Sequence, residues 1–131
     1  MKLLFKIFFV ALLAFSLCGL SSRFGIKVLQ QNSATLCFKF GDTGPSKSSG
    51  VKINTFLVVK KGDSGQWDYK SPVWAFELTP GSAKPLSRVT YGQVPAGFAE
   101  TTKASPLTEG THYLAVGLSP GSGGSAEFVA H

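Results

Sequence analysis

Between residues 35 and 40 apolar and polar side chains alternate cleanly: Leu36, Phe38 and Phe40 fall on one side, Thr35, Cys37 and Lys39 on the other. A period of two is the mark of a half-buried β-strand. The same alternation is weaker over residues 25–31, where Ile26 and Val28 oppose Lys27. Residues 51–61 form the longest candidate strand, with Val51, Ile53, Thr55, Leu57 and Val59 facing together. Phe56 and Val58 are apolar on the other side, which predicts a strand whose middle is covered on both faces. After Pro72, the run 73–78 turns Trp74, Phe76 and Leu78 inward, and shorter strands are expected over 86–91, 98–102, 111–118 and 126–130. The strand at 98–102 suits a sheet edge. Gly, Pro, Ser and Asp punctuate these runs at 41–50, at Gly62-Asp63-Ser64-Gly65, at Thr79-Pro80-Gly81 and over 119–125. No helical period survives beyond the N-terminal segment. Seven to eight short strands joined by turns predict an all-β domain, a two-sheet sandwich, with a small closed barrel as the alternative.

The head of the chain is different. Met1-Lys2-Leu3-Leu4-Phe5-Lys6 is a basic start, followed by an uncharged apolar run from Ile7 to Leu17 and the exit Cys18-Gly19-Leu20-Ser21-Ser22. A basic lead, an apolar stretch of this length and a small-residue exit describe a secretory signal peptide over residues 1–21. A membrane anchor is the competing reading, but spanning hydrocarbon takes about 20 apolar residues and Lys6 interrupts the stretch. Cleavage ahead of Ser22 leaves a single domain at 22–131. Cys18 offers another end, because bacterial lipoproteins carry their lipidated cysteine at this place. Leu17 stands where such proteins carry a small residue. The protein is thus expected outside the cytoplasm, periplasmic or extracellular, or else lipid-anchored through Cys18.

Composition changes once this segment is set aside. The whole chain has 131 residues, 44% apolar, with a formal charge of +6. Without residues 1–21, of which 16 are apolar and two are Lys2 and Lys6, the remainder has 11 basic and 7 acidic side chains. That excludes a multidomain enzyme, a polytopic membrane protein and a disordered chain. It also leaves Cys37 alone, so no disulfide is available within the domain. A lone cysteine is either a buried small hydrophobe or an intermolecular partner, and a passive thiol is expected. The basic residues are dispersed, with only Lys60 and Lys61 adjacent. A nucleic-acid footprint needs a clustered patch, so no nucleic-acid partner is expected.

Candidate chemistry is sparse. Gly62-Asp63-Ser64-Gly65 matches the centre of the trypsin-family nucleophile motif, yet both histidines, His112 and His131, follow the serine rather than precede it. Gly41-Asp42-Thr43-Gly44 repeats the same turn chemistry, which favours a loop in both places. Neither histidine has companions at metal-ligand spacing, so no metal and no cofactor are expected. Glu77 lies opposite Trp74 and Phe76 and reads as a solvated strand charge. The suggestive set is aromatic: Trp67-Asp68-Tyr69, with Tyr91 as a possible fourth member. Trp and Tyr beside a carboxylate can stack on sugar rings or anchor a protein partner.

Two resemblances follow from quoted residues. Leu107-Thr108-Glu109-Gly110-Thr111-His112-Tyr113 resembles the entry to the sixth strand of fibronectin type III and related immunoglobulin-like domains. The resemblance implies that Tyr113 is a corner tyrosine bonded back to the backbone, with Leu107 packed beneath it. More broadly, Pro72-Val73-Trp74, Leu86-Ser87-Arg88-Val89-Thr90-Tyr91-Gly92, Val94-Pro95-Ala96-Gly97-Phe98 and Leu107…Gly110…Tyr113 resemble small exported bacterial proteins of unassigned function, many of them lipoproteins. The resemblance implies a sandwich in the bacterial envelope and brings no catalytic residues. The expected function is a non-catalytic binding or assembly module contacting an envelope protein or glycan. The alternative is a carbohydrate- or small-ligand-binding domain using Trp67, Asp68, Tyr69 and Tyr91.

Overall fold

A computed structural model describes residues 22–32, 35–41, 50–79 and 81–131. The expected signal peptide and Cys18 lie outside the described residues, as does most of the loop at 41–50. The described chain is all-β, built from eleven strand segments in three sheets, none closed into a barrel. The barrel alternative therefore falls, and the arrangement is sandwich-like. Among the described residues no helix is long and apolar enough to cross a membrane.

The large sheet runs in the order β1-β11-β10-β5-β6-β9, from β1 (Ser22–Arg23), β11 (Ser122–Val129), β10 (His112–Ser119), β5 (Thr55–Lys60), β6 (Trp74–Glu77) and β9 (Ala99–Thr102). A second sheet is β2 (Ile26–Asn32), β3 (Thr35–Phe40) and β8 (Arg88–Thr90). A two-stranded sheet pairs β4 (Val51–Ile53) with β7 (Lys84–Leu86). As the alternation in β3 predicts, Leu36, Phe38 and Phe40 are buried. Cys37 faces away, half-buried, with its Sγ 3.5 Å from Thr90 Oγ1. From the large sheet Phe56, Val58, Trp74, Phe76, Tyr113, Ala115 and Phe128 complete the core. The two layers meet through aromatic rings: Phe38 lies 5.2 Å from Phe56 and 5.6 Å from Phe128, and Phe40 lies 5.5 Å from Phe56.

Residues 51–61 are not one strand. The chain breaks at Asn54 and changes sheets, so Ile53 and Phe56, which a continuous strand would set on opposite faces, are both fully buried. Asn54 holds the bend. Its Nδ2 donates to the carbonyls of Ser82 at 2.6 Å and Thr79 at 3.3 Å, and its N–H donates to Leu118 O at 2.7 Å. A second break at Ser87 divides the strand expected over 86–91, taking β7 into β8, while the Ser87 carbonyl accepts from Phe40 N–H at 2.9 Å. The β4–β7 pair is thus a corner: one of its strands continues into each larger sheet. In the β6 region Trp74 and Phe76 are fully buried, but the strand ends at Glu77 and Leu78 is only half-buried. β9 does lie at an edge, paired with β6 alone.

The glycine-rich segment 119–125 is not a loop either. Ser119 pairs with Ser122 across a two-residue turn, and Ser122 to Ser125 are strand. Gly121 takes a positive φ of 75° in that turn, whereas Gly124 is required for closeness. Phe24 crosses this part of the sheet, and a Cβ on Gly124 would collide with the Phe24 carbonyl oxygen and ring. Gly117, the neighbour of Gly124 across the ladder, lies under the same ring, its would-be Cβ 3.1 Å away.

Candidate functional site

The hairpin that leads from β5 to β6 holds the aromatic set. Gly62 N–H donates to Gln66 O at 2.7 Å, Gly65 takes a positive φ of 84°, and Lys61 bridges Trp67 in antiparallel register. Gly62-Asp63-Ser64-Gly65 is therefore the hairpin tip, with Asp63 and Ser64 exposed. Trp67 is half-buried, and the Lys61 ammonium lies 5.5 Å from its ring centroid. That geometry is a cation–π contact. Asp68 is exposed, its N–H donating to Lys60 O at 2.9 Å. Tyr69 has 56% of its surface exposed, the most of any large apolar or aromatic side chain among the described residues. One exposed ring, one exposed carboxylate and a Lys-covered indole thus share one surface corner.

Tyr91 is employed elsewhere. Its ring stands edge-on to Trp74 at 5.1 Å, and its hydroxyl donates to Ser105 O at 2.7 Å with Val73 O at 3.3 Å. Burial, with Tyr113 nearby, pushes its pKa up to about 12. Its remaining edge helps line a pocket of about 170 Å³ with Gln30, Leu36, Leu107 and His131. Ligand pockets usually hold roughly 300–1,000 Å³, so this one suits only a small group.

Tyr113 is buried and stacks on Phe128 at 5.6 Å, while its hydroxyl oxygen accepts from the Thr108 backbone N–H at 2.8 Å. Leu107 is partly buried against the core. His112 is exposed at the start of β10, and its Nδ1 lies 3.4 Å from a Glu127 carboxylate oxygen. Glu77 is exposed, as its place in β6 requires. No cluster of metal-ligating side chains occurs among the described residues.

A feature not singled out as functional from the sequence lies on the outer face of the large sheet. Leu57, Leu114 and Val116 are half-buried and belong to no part of the core, and Leu118 is 44% exposed. The two-sided apolar run of residues 55–59 was the signal for it, since its second face had to lie against something or remain open. The chain matches no protein family, no curated protein and no solved structure.

Proposed function

We propose that the protein is an exported, non-catalytic, immunoglobulin-like sandwich serving as a binding or assembly module of the bacterial cell envelope. Export rests on the basic start and apolar run of residues 1–21. The immunoglobulin-like type rests on the Leu107–Tyr113 segment, whose tyrosine hydroxyl bonds to backbone five residues upstream. The binding role rests on one observation: Tyr69 stands open to solvent on a hairpin pinned by four backbone hydrogen bonds, Gly62 to Gln66, Gly65 to Gly62, Asp68 to Lys60 and Tyr69 to Trp67. Aromatic side chains held on a rigid support are the usual anchors of interfaces, because they contribute large contact area at little cost in conformational entropy. The test is a photo-reactive residue at position 69 in the envelope of the living cell. A discrete adduct at 69, lacking at the exposed control position Lys103, is expected; the same outcome at both positions overturns the reading.

A glycan as the bound partner is favoured by the open Tyr69 ring beside the exposed Asp68 carboxylate, which pair a stacking face with a hydroxyl acceptor. Trp74 is fully buried, so ligand-dependent emission comes from Trp67. Titration with peptidoglycan fragments and neutral oligosaccharides should shift that emission in the wild type and not in Tyr69→Ala. Absence of any shift removes the glycan reading and leaves a protein partner. Mass spectrometry of the exported chain distinguishes a Ser22 N-terminus from an acylated Cys18.

A further inference from the structure

We infer that the outer face of the three-stranded sheet docks on an anionic phospholipid layer, through Lys27, Lys39 and Arg88. Strand register sets these residues side by side: Lys27 on β2 stands opposite Lys39 on β3, which stands opposite Arg88 on β8. Directly opposed residues of an antiparallel pair project from the same face. The adjoining Phe38 and Val89 point into the core, so the row lies on the outer face, and all three cations are exposed. Neighbouring strands lie about 4.8 Å apart, so the row spans roughly 10 Å. Dispersed along the chain, the three charges become a cluster only when the sheet forms. The row is independent of the Tyr69 hairpin, which extends from the large sheet.

Like charges directly opposite one another destabilise a strand pair, and the described carboxylates do not offset them. Asp63, Asp68, Glu77, Glu100, Glu109 and Glu127 all belong to the large sheet or to the turns that lead into its strands. Asp42 lies outside the described residues. The ion pair of His112 with Glu127 is on the large sheet too. A cation row of this kind complements negative charge from outside the domain, and its surroundings select the source. An open sheet face has no walls to enclose a single ion, whereas a headgroup layer presents many phosphates at once. Beside the row lie Leu29, Cys37 and Thr90, in register and half-buried, with no ring on which bases could stack. Three cations also fall short of the roughly six to ten phosphate contacts of a strong nucleic-acid binder. The same neighbours offer little apolar area for the centre of a protein interface. Each Lys or Arg near an anionic leaflet strengthens docking roughly fivefold, so three give about a hundredfold and a reversible attachment.

Sedimentation of the protein with lipid vesicles tests this. Vesicles of phosphatidylcholine and phosphatidylglycerol in equal parts should carry the protein down, and pure phosphatidylcholine should not. Binding should fade between about 0.1 M and about 1 M salt, as the screening length falls from about 10 to about 3 Å. Lys39→Gln/Arg88→Gln should weaken binding roughly 20-fold. Lys70→Gln/Lys103→Gln removes the same charge from exposed positions beside the large sheet and should stay within about twofold of wild type. Equal losses in the two pairs would make net charge the cause and overturn the inference. So would a wild type that ignores anionic vesicles, or one that retains soluble polyphosphate in their place. The wild-type lipid and salt series decide even if a row variant does not fold.

Discussion

Tyr91 and Tyr69 show how one residue type serves opposite ends. Tyr69 follows a hairpin turn and Tyr91 opens one at the end of β8, and both were candidates for an aromatic contact surface. Tyr69 extends from a hairpin with nothing over it, whereas the Tyr91 ring lies against Trp74 and its hydroxyl bonds to Ser105. Nothing adjacent to Tyr91 in sequence distinguishes them, because the carbonyl that accepts its hydrogen bond is 14 residues away. The difference is measurable. With its folded-state pKa raised from 10.0 to about 12, Tyr91 resists ionisation in the native state only. Its contribution to stability is complete below pH 10, the unfolded value, and declines as pH rises through 10 toward 12. Absorbance titration of phenolate should show a late phase near pH 12 that disappears in Tyr91→Phe. A late phase that persists in the variant refutes the assignment.

Among the elements, periodicity located most strands and misjudged their ends. β3 and β10 fall where alternation placed them, since each is a straight strand with one face on the core. The run 51–61 fails that rule because Asn54 bends it between sheets, and Ser87 does the same for the next candidate. Asn and Ser are ordinary loop residues, and only their remote carbonyl and amide partners make them corner residues. The segment 122–125 errs in the other direction. Its two glycines read as a loop, but both are strand residues, and Gly124 is kept small by Phe24. Gly124→Ala should cost about 1–3 kcal/mol, the usual penalty for overpacking, read as a shift in the urea midpoint. A neutral substitution would mean that Phe24 does not lie on the strand.

At the scale of the whole molecule the core is an aromatic stack joining two sheets. Phe56 is its hub, in ring contact with Phe38, Phe40, Trp74 and Phe76. Phe56→Ala should cost about 3–5 kcal/mol, a large part of the 5–15 kcal/mol that holds a typical domain together. Urea unfolding should therefore move to much lower denaturant, and a midpoint near that of the wild type would contradict the stack. The opposite face of the same strand carries Leu57 and Val59, so β5 is apolar on both sides for two different reasons. One side builds the domain, and the other lies on the outer face of the large sheet.

The amino-acid sequence by itself determined the all-β class, the inward set of β3, Trp74 and Phe76 as core, the exposed position of Glu77 and the hairpin tip at residues 62–65. These depend on local alternation and on turn residues, whose effects reach only a few positions along the chain. The tertiary structure alone decided the two sheet-switching corners, the strand character of the late glycines and the inward commitment of Tyr91. Each of these is settled by groups far apart in sequence that meet only when the sheets pack, and no periodicity within one segment encodes such a meeting.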